Sequence, residues 1–216
     1  EGPSGAGKST LLNILGLLDA PDSGTYFLDG RDTSTLGERE RDAVRGQRVG
    51  FVFQSSYVLG EESTLLNAAL GLRIQGVPLE ARTARAIRVL EEVGISRRWS
   101  VRSKFLSGGE RQRLAIARAV AGHPDLILAD EPTGNLDSTS SAEILRLLGD
   151  LNARGATVVI ITHDPRVASV APRRVKISDG RIVEQGVSAA VPGGTARAEA
   201  KPVPQAGVGQ LLDDLG

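Results

Sequence analysis

The chain has 216 residues, which is long enough for one large domain that buries its own hydrophobic core. It carries 26 basic and 26 acidic residues, and this balance argues against a protein that binds nucleic acid through its overall charge. It contains no cysteine, which excludes disulfides, thiolate metal sites and cysteine nucleophiles.

The first quarter of the chain alternates glycine-rich turns with short apolar runs. We predict, in chain order, a loop over 2–9, a helix over 9–18, a turn over 20–24, a short strand over 25–28, a turn at Asp29-Gly30, a charged helix over 37–45 and a buried strand over 48–53.

Helices dominate the middle of the chain, and we predict an inserted helical lobe over about 55–118. It includes helices over 64–74 and 79–93, and a third helix runs over 107–121. The apolar stripe predicted for the second helix consists of Leu79, Ala86, Ile87, Leu90 and Val93.

A strand, a helix and a second strand follow as a crossover unit, which predicts parallel strands. The remaining predicted elements are the strand over 125–129, the helix over 138–152, the strand over 156–162 and two short strands over 174–177 and 181–183. We therefore expect one folded domain over 1–185. The Ala-, Pro- and Gly-rich segment over 186–216 predicts a flexible tail.

The loop at the start of the chain fits the pattern G-x-x-x-x-G-K-[ST]. Glycines allow the backbone N–H groups to turn inward toward phosphate oxygens at the start of a helix, and the lysine adds a mobile positive charge. A serine hydroxyl next to the lysine suits Mg²⁺. The predicted nucleotide-binding residues of this loop are Gly2, Ser4, Gly5, Ala6, Gly7, Lys8, Ser9 and Thr10.

Polar residues with catalytic chemistry follow three of the predicted strands. These residues are Gln54, Asp130, Glu131 and His163. Ligands of open α/β sheets bind beyond the carboxyl ends of the strands, so Asp130 is a candidate Mg²⁺ ligand and Glu131 a candidate general base. Taken alone, the Asp-Glu pair is equally well explained as a strand that ends in two solvated acids.

The helix that begins after Ser107 opens with Gly108 and Gly109, which are poor helix formers. Ser107 and Glu110 form the pattern of a capping box, which by itself explains both residue types. The two glycines indicate that something approaches the backbone closely, and a phosphate at the helix N-terminus fits this requirement.

Together these motifs resemble the nucleotide-binding domain of ATP-binding-cassette (ABC) transporters, over residues 1 to about 184. Gly2–Ser9 resembles the Walker A loop, Gln54 the Q-loop, Leu106–Glu110 the LSGGQ signature and Leu126–Glu131 the Walker B strand. The segment over 134–137 resembles the D-loop, and His163 resembles the switch histidine. The sequences around Asp130 and after the first helix look most like the lipoprotein-releasing, macrolide-export and cell-division branch.

This resemblance implies an α/β P-loop NTPase core with a mostly parallel sheet flanked by helices, and a head-to-tail dimer that encloses two Mg-ATP. It implies that Ser107, Gly108 and Gly109 contact the ATP held by the other copy, and that Asp137 shapes the opposite site. It further implies that His163 contacts the γ-phosphate, that Glu131 activates water, and that Ser9, Gln54 and Asp130 serve the metal ion.

Two departures from the family pattern stand out. The family has an antiparallel β lobe and a strand before Walker A, and here only Glu1 precedes the loop. We therefore expect an N-terminally truncated sequence that binds ATP weakly or folds poorly until upstream residues are restored. The second departure is Glu110, which stands where the family has Gln; we expect the capping box to hold its carboxylate away from phosphate.

The resemblance implies an ATP-hydrolysing subunit that pairs with another ATPase subunit and drives a separate membrane permease, without nucleic acid. It would lie in the cytoplasm at the inner face of the plasma membrane. Two alternatives remain open, namely a signalling or scaffolding module of the cell-division type and an inactive truncated remnant. A neighbouring gene for a cell-wall hydrolase would favour signalling.

Overall fold

The computed structural model of the protein describes residues 1–3 and 5–187. These residues form two compact units: the first comprises Glu1–Arg41 and the described chain from Ile161 onward, and the second comprises Asp42–Ile160. Ser4 and positions 188–216 of the predicted tail lie outside the described residues.

The first unit contains short helices and two antiparallel strand pairs. Its elements are α1 (Lys8–Leu15), β1 (Phe27–Leu28), β2 (Arg31–Asp32), the start of α2 (Glu38–Arg48), α7 (Pro165–Ala168), β6 (Arg173–Ser178) and β7 (Arg181–Val187). Strand β7 therefore includes the first two residues of the segment that we predicted as tail. The backbone of Glu1 extends along β6, since its carbonyl accepts a hydrogen bond from the Ile177 N–H at 2.8 Å.

The turn between β1 and β2 confirms the predicted Asp29-Gly30 turn. Both residues have positive φ angles, 50° and 76°, as expected for an Asp-Gly hairpin turn. Strand β2 was missed by the prediction because it is two residues long and carries two charged side chains.

The end of helix α1 differs from the prediction, which placed it at Leu18. The helix ends at Leu15, and Leu17 adopts a left-handed φ of 57°. The Leu17 N–H donates to the Ile14 carbonyl, and the Leu18 N–H donates to the Asn13 carbonyl. These two bonds form a Schellman motif in which Leu occupies the position that Gly usually takes, so composition did not reveal the stop.

The second unit packs helices around a sheet with the strand order β3-β4-β5. Its elements are the rest of α2, then β3 (Val49–Phe53), α3 (Thr64–Ile74), α4 (Leu79–Glu92), α5 (Gly108–Val120), β4 (Leu126–Asp130), α6 (Ser138–Ala153) and β5 (Thr157–Ile161), the last residue of which belongs to the first unit. Strands β3 and β4 are parallel, with Phe53 paired to Asp130. Their parallel pairing agrees with the predicted fold class.

The core of the second unit lies between helices α3 to α6 and the sheet. Its largest fully buried apolar side chains are Leu72, Leu90, Leu114, Ile116, Ile127, Leu128, Ile144, Leu148 and Val52. Four successive β4 residues, from Leu126 to Ala129, are buried, as expected for a strand covered on both faces. The strand therefore becomes accessible only at its carboxyl end.

The predicted apolar stripe of α4 is partly wrong. Ala86, Leu90 and Val93 are buried, but Leu79 is 66% exposed and Ile87 is 41% exposed. Val89 takes the place of Ile87, because positions 86, 89, 90 and 93 share one face of a helix with 3.6 residues per turn.

Candidate functional site

The loop of the first unit has a backbone that only glycine adopts without strain. Gly5 and Gly7 have φ angles of 80° and 90°. A Cβ atom on Gly5 would meet no other atom within 4 Å, so that side of the loop is open. Within the loop, Ala6 is buried, and its carbonyl accepts a hydrogen bond from the Gly180 N–H at 3.2 Å. This bond anchors the loop to the turn between β6 and β7.

Helix α1 begins at this loop with its N-terminus available to an anion. Gly7 is the N-cap and provides no side-chain cap, and the first turn contains no acidic residue. The first helical hydrogen bond runs from the Leu11 N–H to the Gly7 carbonyl, so the preceding N–H groups point out of the helix end. The N-terminal end of a helix carries partial positive charge, which suits a phosphate group.

Lys8 lies across the same loop. Its ammonium group donates hydrogen bonds to the carbonyls of Gly2 at 2.8 Å and Pro3 at 2.5 Å. These bonds fix a positive charge beside the loop, while Ser9 and Thr10 remain exposed on the first turn. The loop thus fits the triphosphate that its sequence pattern predicts. Ser4, which we also predicted as a nucleotide-binding residue, lies outside the described residues.

His163 belongs to the first unit as well. Its side chain is exposed, two residues beyond the end of β5. The next residue, Asp164, caps α7 and forms an ion pair with Arg166 at 2.8 Å. Hydrogen bonds from Arg166 lower the pKa of Asp164.

In the second unit, the register of the sheet brings two of the predicted residues to the same edge. Phe53 of β3 pairs with Asp130 of β4, so Gln54 and Glu131 each follow directly beyond this pair. Glu131 has a φ of 45°, which is unusual for a residue with a side chain and is common at functional sites. Asp130 and Glu131 are both half-buried rather than fully solvated, unlike the two solvated acids of the alternative interpretation.

The side chain of Gln54 contacts the segment that follows Glu131. Its amide donates to Asn135 Oδ1 at 3.2 Å. Gly134 permits this approach, because a Cβ atom there would lie 2.6 Å from Gln54 Nε2. The Q-loop and D-loop residues therefore contact each other within one unit.

A buried network ties the residues after Gln54 to helix α5. Gln112 is 1% exposed; its amide donates to the Phe53 carbonyl at 3.1 Å and its oxygen accepts from the Ser56 hydroxyl. Arg118 donates to the Ser56 and Tyr57 carbonyls at 2.8 and 2.7 Å. Ser56 and Tyr57 both have positive φ angles, which the network holds in place.

Helix α5 begins with the predicted capping box. The Ser107 hydroxyl accepts from the Glu110 N–H at 3.2 Å, and the Glu110 carboxylate accepts from the Ser107 N–H at 2.8 Å. A Cβ atom on Gly109 would lie 3.0 Å from Ser140 Oγ of helix α6. Close packing against α6 is therefore one reason for a glycine at this position, in addition to the phosphate contact that the sequence suggested.

Asp137 caps the next helix, α6. Its carboxylate accepts from the Ser140 N–H at 2.9 Å and from the Ser140 hydroxyl at 2.7 Å. The backbone hydrogen bond from Ser140 lowers the pKa of Asp137. Since Ser140 also faces Gly109, the D-loop and the start of α5 are in contact through one serine.

Some of the predicted site residues carry oxygen atoms suited to a nucleotide-bound Mg²⁺. The described residues contain no cluster of three or more His, Cys, Asp or Glu side chains that could hold a metal. Mg²⁺ bound with a nucleotide normally uses one or two protein ligands with phosphate oxygens and water. In the first unit the Ser9 hydroxyl, and in the second unit the Gln54 amide oxygen and the Asp130 carboxylate, are each oxygen ligands of a kind that Mg²⁺ accepts.

Comparison with known proteins decides the family. A family model described as ABC transporter matches residues 1–134. The chain belongs to the ABC transporter family.

Some of its relatives are named as ATP-binding/permease proteins, and others are named as ATP-binding proteins alone. The chain is 51% identical over 195 residues to the macrolide export ATP-binding/permease protein MacB 1/2 of Paracoccus denitrificans, with 89% of the chain and 29% of the relative covered. It is 48% identical over 182 residues to the ABC transporter ATP-binding protein YknY of Bacillus subtilis, with 84% and 79% covered. The chain thus spans about three tenths of the MacB length.

Solved ABC structures share the fold. The dimeric post-hydrolysis state of the ATP-binding cassette MJ0796 bound to ADP and Pi matches with a TM-score of 0.77 and 39% identity, over 86% of this chain and 82% of that chain. A second dimeric structure of MJ0796 matches with the same TM-score and coverage at 40% identity. These findings confirm the predicted family and the P-loop NTPase fold, and they identify an ATP-hydrolysing domain. No helix in the described part of the chain is long and apolar enough to cross a membrane.

Sequence reasoning missed several residues that organise the second unit. Gln112 and Arg118 were treated as helix residues, and Asn135 was given no role of its own. Asn67 is fully buried and bonds the Leu59 backbone, the Ser63 carbonyl and the Ser103 hydroxyl. The sequence signal that could have identified Gln112 and Asn67 is a polar residue on the apolar face of a predicted helix, because such a residue must find hydrogen-bond partners in the core.

Proposed function

We propose that this domain is the ATP-hydrolysing, energy-coupling part of an ABC transporter, in which two copies enclose two Mg-ATP and drive a membrane permease. The observation that carries the proposal is the loop over residues 2–9, with its two left-handed glycines, its uncapped helix N-terminus and the fixed ammonium of Lys8. An arrangement of this kind stabilises a polyphosphate and is of little use to an apolar ligand.

In this proposal the groups of the first unit act on the phosphates, the metal ion and the attacking water. The first-turn N–H groups and Lys8 bind the β- and γ-phosphates, and the Ser9 hydroxyl is a ligand of the metal ion. His163 contacts the γ-phosphate and orients the attacking water. The exposure of Ser9 and His163 leaves both side chains accessible for these roles.

Residues of the second unit supply the remaining chemistry. Glu131 accepts a proton from the attacking water, and the Asp130 and Gln54 side chains bind the metal ion. Bound Mg²⁺ offsets the negative charge that develops on the phosphates. The left-handed backbone at Glu131 and the hydrogen bond from Gln54 to Asn135 support this assignment, because both hold polar groups at the edge where strands β3 and β4 end.

The second copy completes each site in this proposal. Ser107, Gly108 and Gly109 contact the nucleotide bound by the partner copy, and Asp137 lies across the interface. The dimeric solved structures of the MJ0796 cassette support this arrangement. A permease partner, and with it a location at the inner face of the plasma membrane, is supported by the MacB relatives, whose names join ATP-binding and permease functions.

The test is Glu131→Gln in the complete protein. We expect ATP turnover to fall by roughly 10²-fold or more, since a general base contributes about 10²–10⁴-fold, while ATP binding persists. The control is Glu80→Gln, which makes the same change at an exposed position in the first turn of α4. Undiminished phosphate release by the Glu131 variant would refute the assignment.

A further inference from the structure

The signature segment, Leu106–Glu110, carries a negative charge close to a helix N-terminus that is proposed to face phosphate. Glu110 is the third residue of α5, and its side chain is 25% exposed. A carboxylate near an incoming phosphate weakens binding through charge repulsion. This penalty falls on the helix end that, in the proposed function, meets the partner's nucleotide.

Both carboxylate oxygens of Glu110 are occupied by donors. Oε2 accepts from the Ser107 N–H at 2.8 Å, and Oε1 accepts from Arg98 Nε at 3.0 Å. The hydrogen bond from the Ser107 backbone, followed by the contact with Arg98, lowers the pKa of Glu110, so the group stays ionised. The carboxylate is therefore negatively charged at neutral pH and is held in one orientation.

The backbone of Arg98 is held in place by two hydrogen bonds. It ends a short 3-10 helix, where its N–H donates to the Ile95 carbonyl at 2.9 Å and its carbonyl accepts from the Val101 N–H at 2.9 Å. Its side chain is 54% exposed, and an ion pair with that exposure contributes little to folding stability. Stability alone gives a weak reason for this pair.

Two other arginines near the start of α5, Arg111 and Arg113, form hydrogen bonds with other groups. Arg111 donates to the Leu106 carbonyl at 2.6 Å. Arg113 donates to the Val93 carbonyl at 3.2 Å and forms an ion pair with Glu143. Among the described arginines, Arg98 is the one whose side chain forms an ion pair with Glu110.

We propose that Arg98 is a positioning residue that makes the acidic signature compatible with ATP, by neutralising Glu110 and holding its carboxylate in the capping box. This inference rests on the proposed function, because it concerns the signature helix that meets the partner's nucleotide. Arg98 acts through Glu110 and does not itself touch the nucleotide. The effect of losing Arg98 should therefore depend on whether residue 110 is charged.

The experiment is a double-mutant cycle on the complete protein with Arg98→Ala, Glu110→Gln and the combined variant. We expect Arg98→Ala to raise the KM for ATP about tenfold, the size of effect expected from one uncompensated charge near a surface site, with a smaller change in kcat. Adding Glu110→Gln should return KM to within about threefold of the starting protein, because no charge then needs compensation. Arg102→Ala is the control, since Arg102 pairs with Glu61 instead.

An equal rise of KM in Arg98→Ala with and without Glu110→Gln would overturn the inference, and so would an unchanged KM in Arg98→Ala. A rise as large in Arg102→Ala would also overturn it, as would a melting temperature of Arg98→Ala too low for the protein to remain folded in the assay. Absence of any ATP hydrolysis in the starting protein would instead count against the proposed function.

Discussion

Replacing Gln112 by Leu should destabilise the second unit strongly, because it removes the polar centre of a buried network. The side chain is 1% exposed, and Leu fills a similar volume without a cavity. The change leaves the buried Ser56 hydroxyl without its Gln112 partner, and it removes one of the hydrogen bonds to the Phe53 carbonyl, which still accepts from the Ser56 N–H at 3.0 Å. An unsatisfied buried hydroxyl costs about 1–3 kcal/mol and the lost bond to the carbonyl about 0.5–1.5 kcal/mol, so the expected loss is about 2–4 kcal/mol.

Thermal and urea unfolding of the domain measure this loss. For a domain of this size, about 1 kcal/mol shifts the melting temperature by roughly 2–4 °C, so we expect a decrease of roughly 5–15 °C. Gln47→Leu is the matched control, since Gln47 is exposed and its replacement should change stability by less than about 0.5 kcal/mol. If both variants behaved alike, Gln112 would not be the link between β3 and α5 that its contacts indicate.

Two further predictions concern the start of α5. Gly109→Ala should destabilise the domain by about 1 kcal/mol in urea unfolding, because the new Cβ lies 3.0 Å from Ser140 Oγ. Gly149→Ala in α6, which meets no atom within 4 Å, should instead stabilise it by up to about 1 kcal/mol; an equal gain at both positions would show that Ser140 moves away freely. Glu110→Ala should lower the melting temperature most near neutral pH, and this difference should shrink as pH falls through the pKa of Glu110, which lies below its ordinary value because the Ser107 N–H and Arg98 stabilise the charged form. A difference that stayed constant down to acidic pH would exclude a role for the carboxylate charge.

Several elements could be predicted from the sequence because their signals are local. The helix over Thr64–Ile74 has a Ser N-cap, and β4 is an unbroken apolar run that ends at two acids. The glycine-rich loop needs φ angles that glycine adopts most readily, so the spacing of its glycines could be recognised in the sequence. The capping box of α5 was likewise visible as two residues three positions apart.

The remaining features depend on neighbours that are distant in sequence. The packing of Ser140 against Gly109, and the bond between Gln54 and Asn135, join segments that no periodicity relates. The stop of α1 at a left-handed Leu17 contradicts the usual preference for Gly and could not be expected from composition. The partnership of Arg98 with Glu110 required the turn that brings residue 98 to the helix.

In the proposed function two copies share each ATP site, and chemical cross-linking between copies tests this sharing most directly. The sequence contains no cysteine, so Thr10→Cys in one tagged copy and Ser107→Cys in another provide unique reactive positions, in the Glu131→Gln background that should retain ATP. We predict that a short bis-maleimide joins the two tagged copies when Mg-ATP is present, and that little product forms without nucleotide or when either cysteine variant is used alone. A mixture that binds ATP yet forms no more of the cross-linked pair than the nucleotide-free sample would contradict the account.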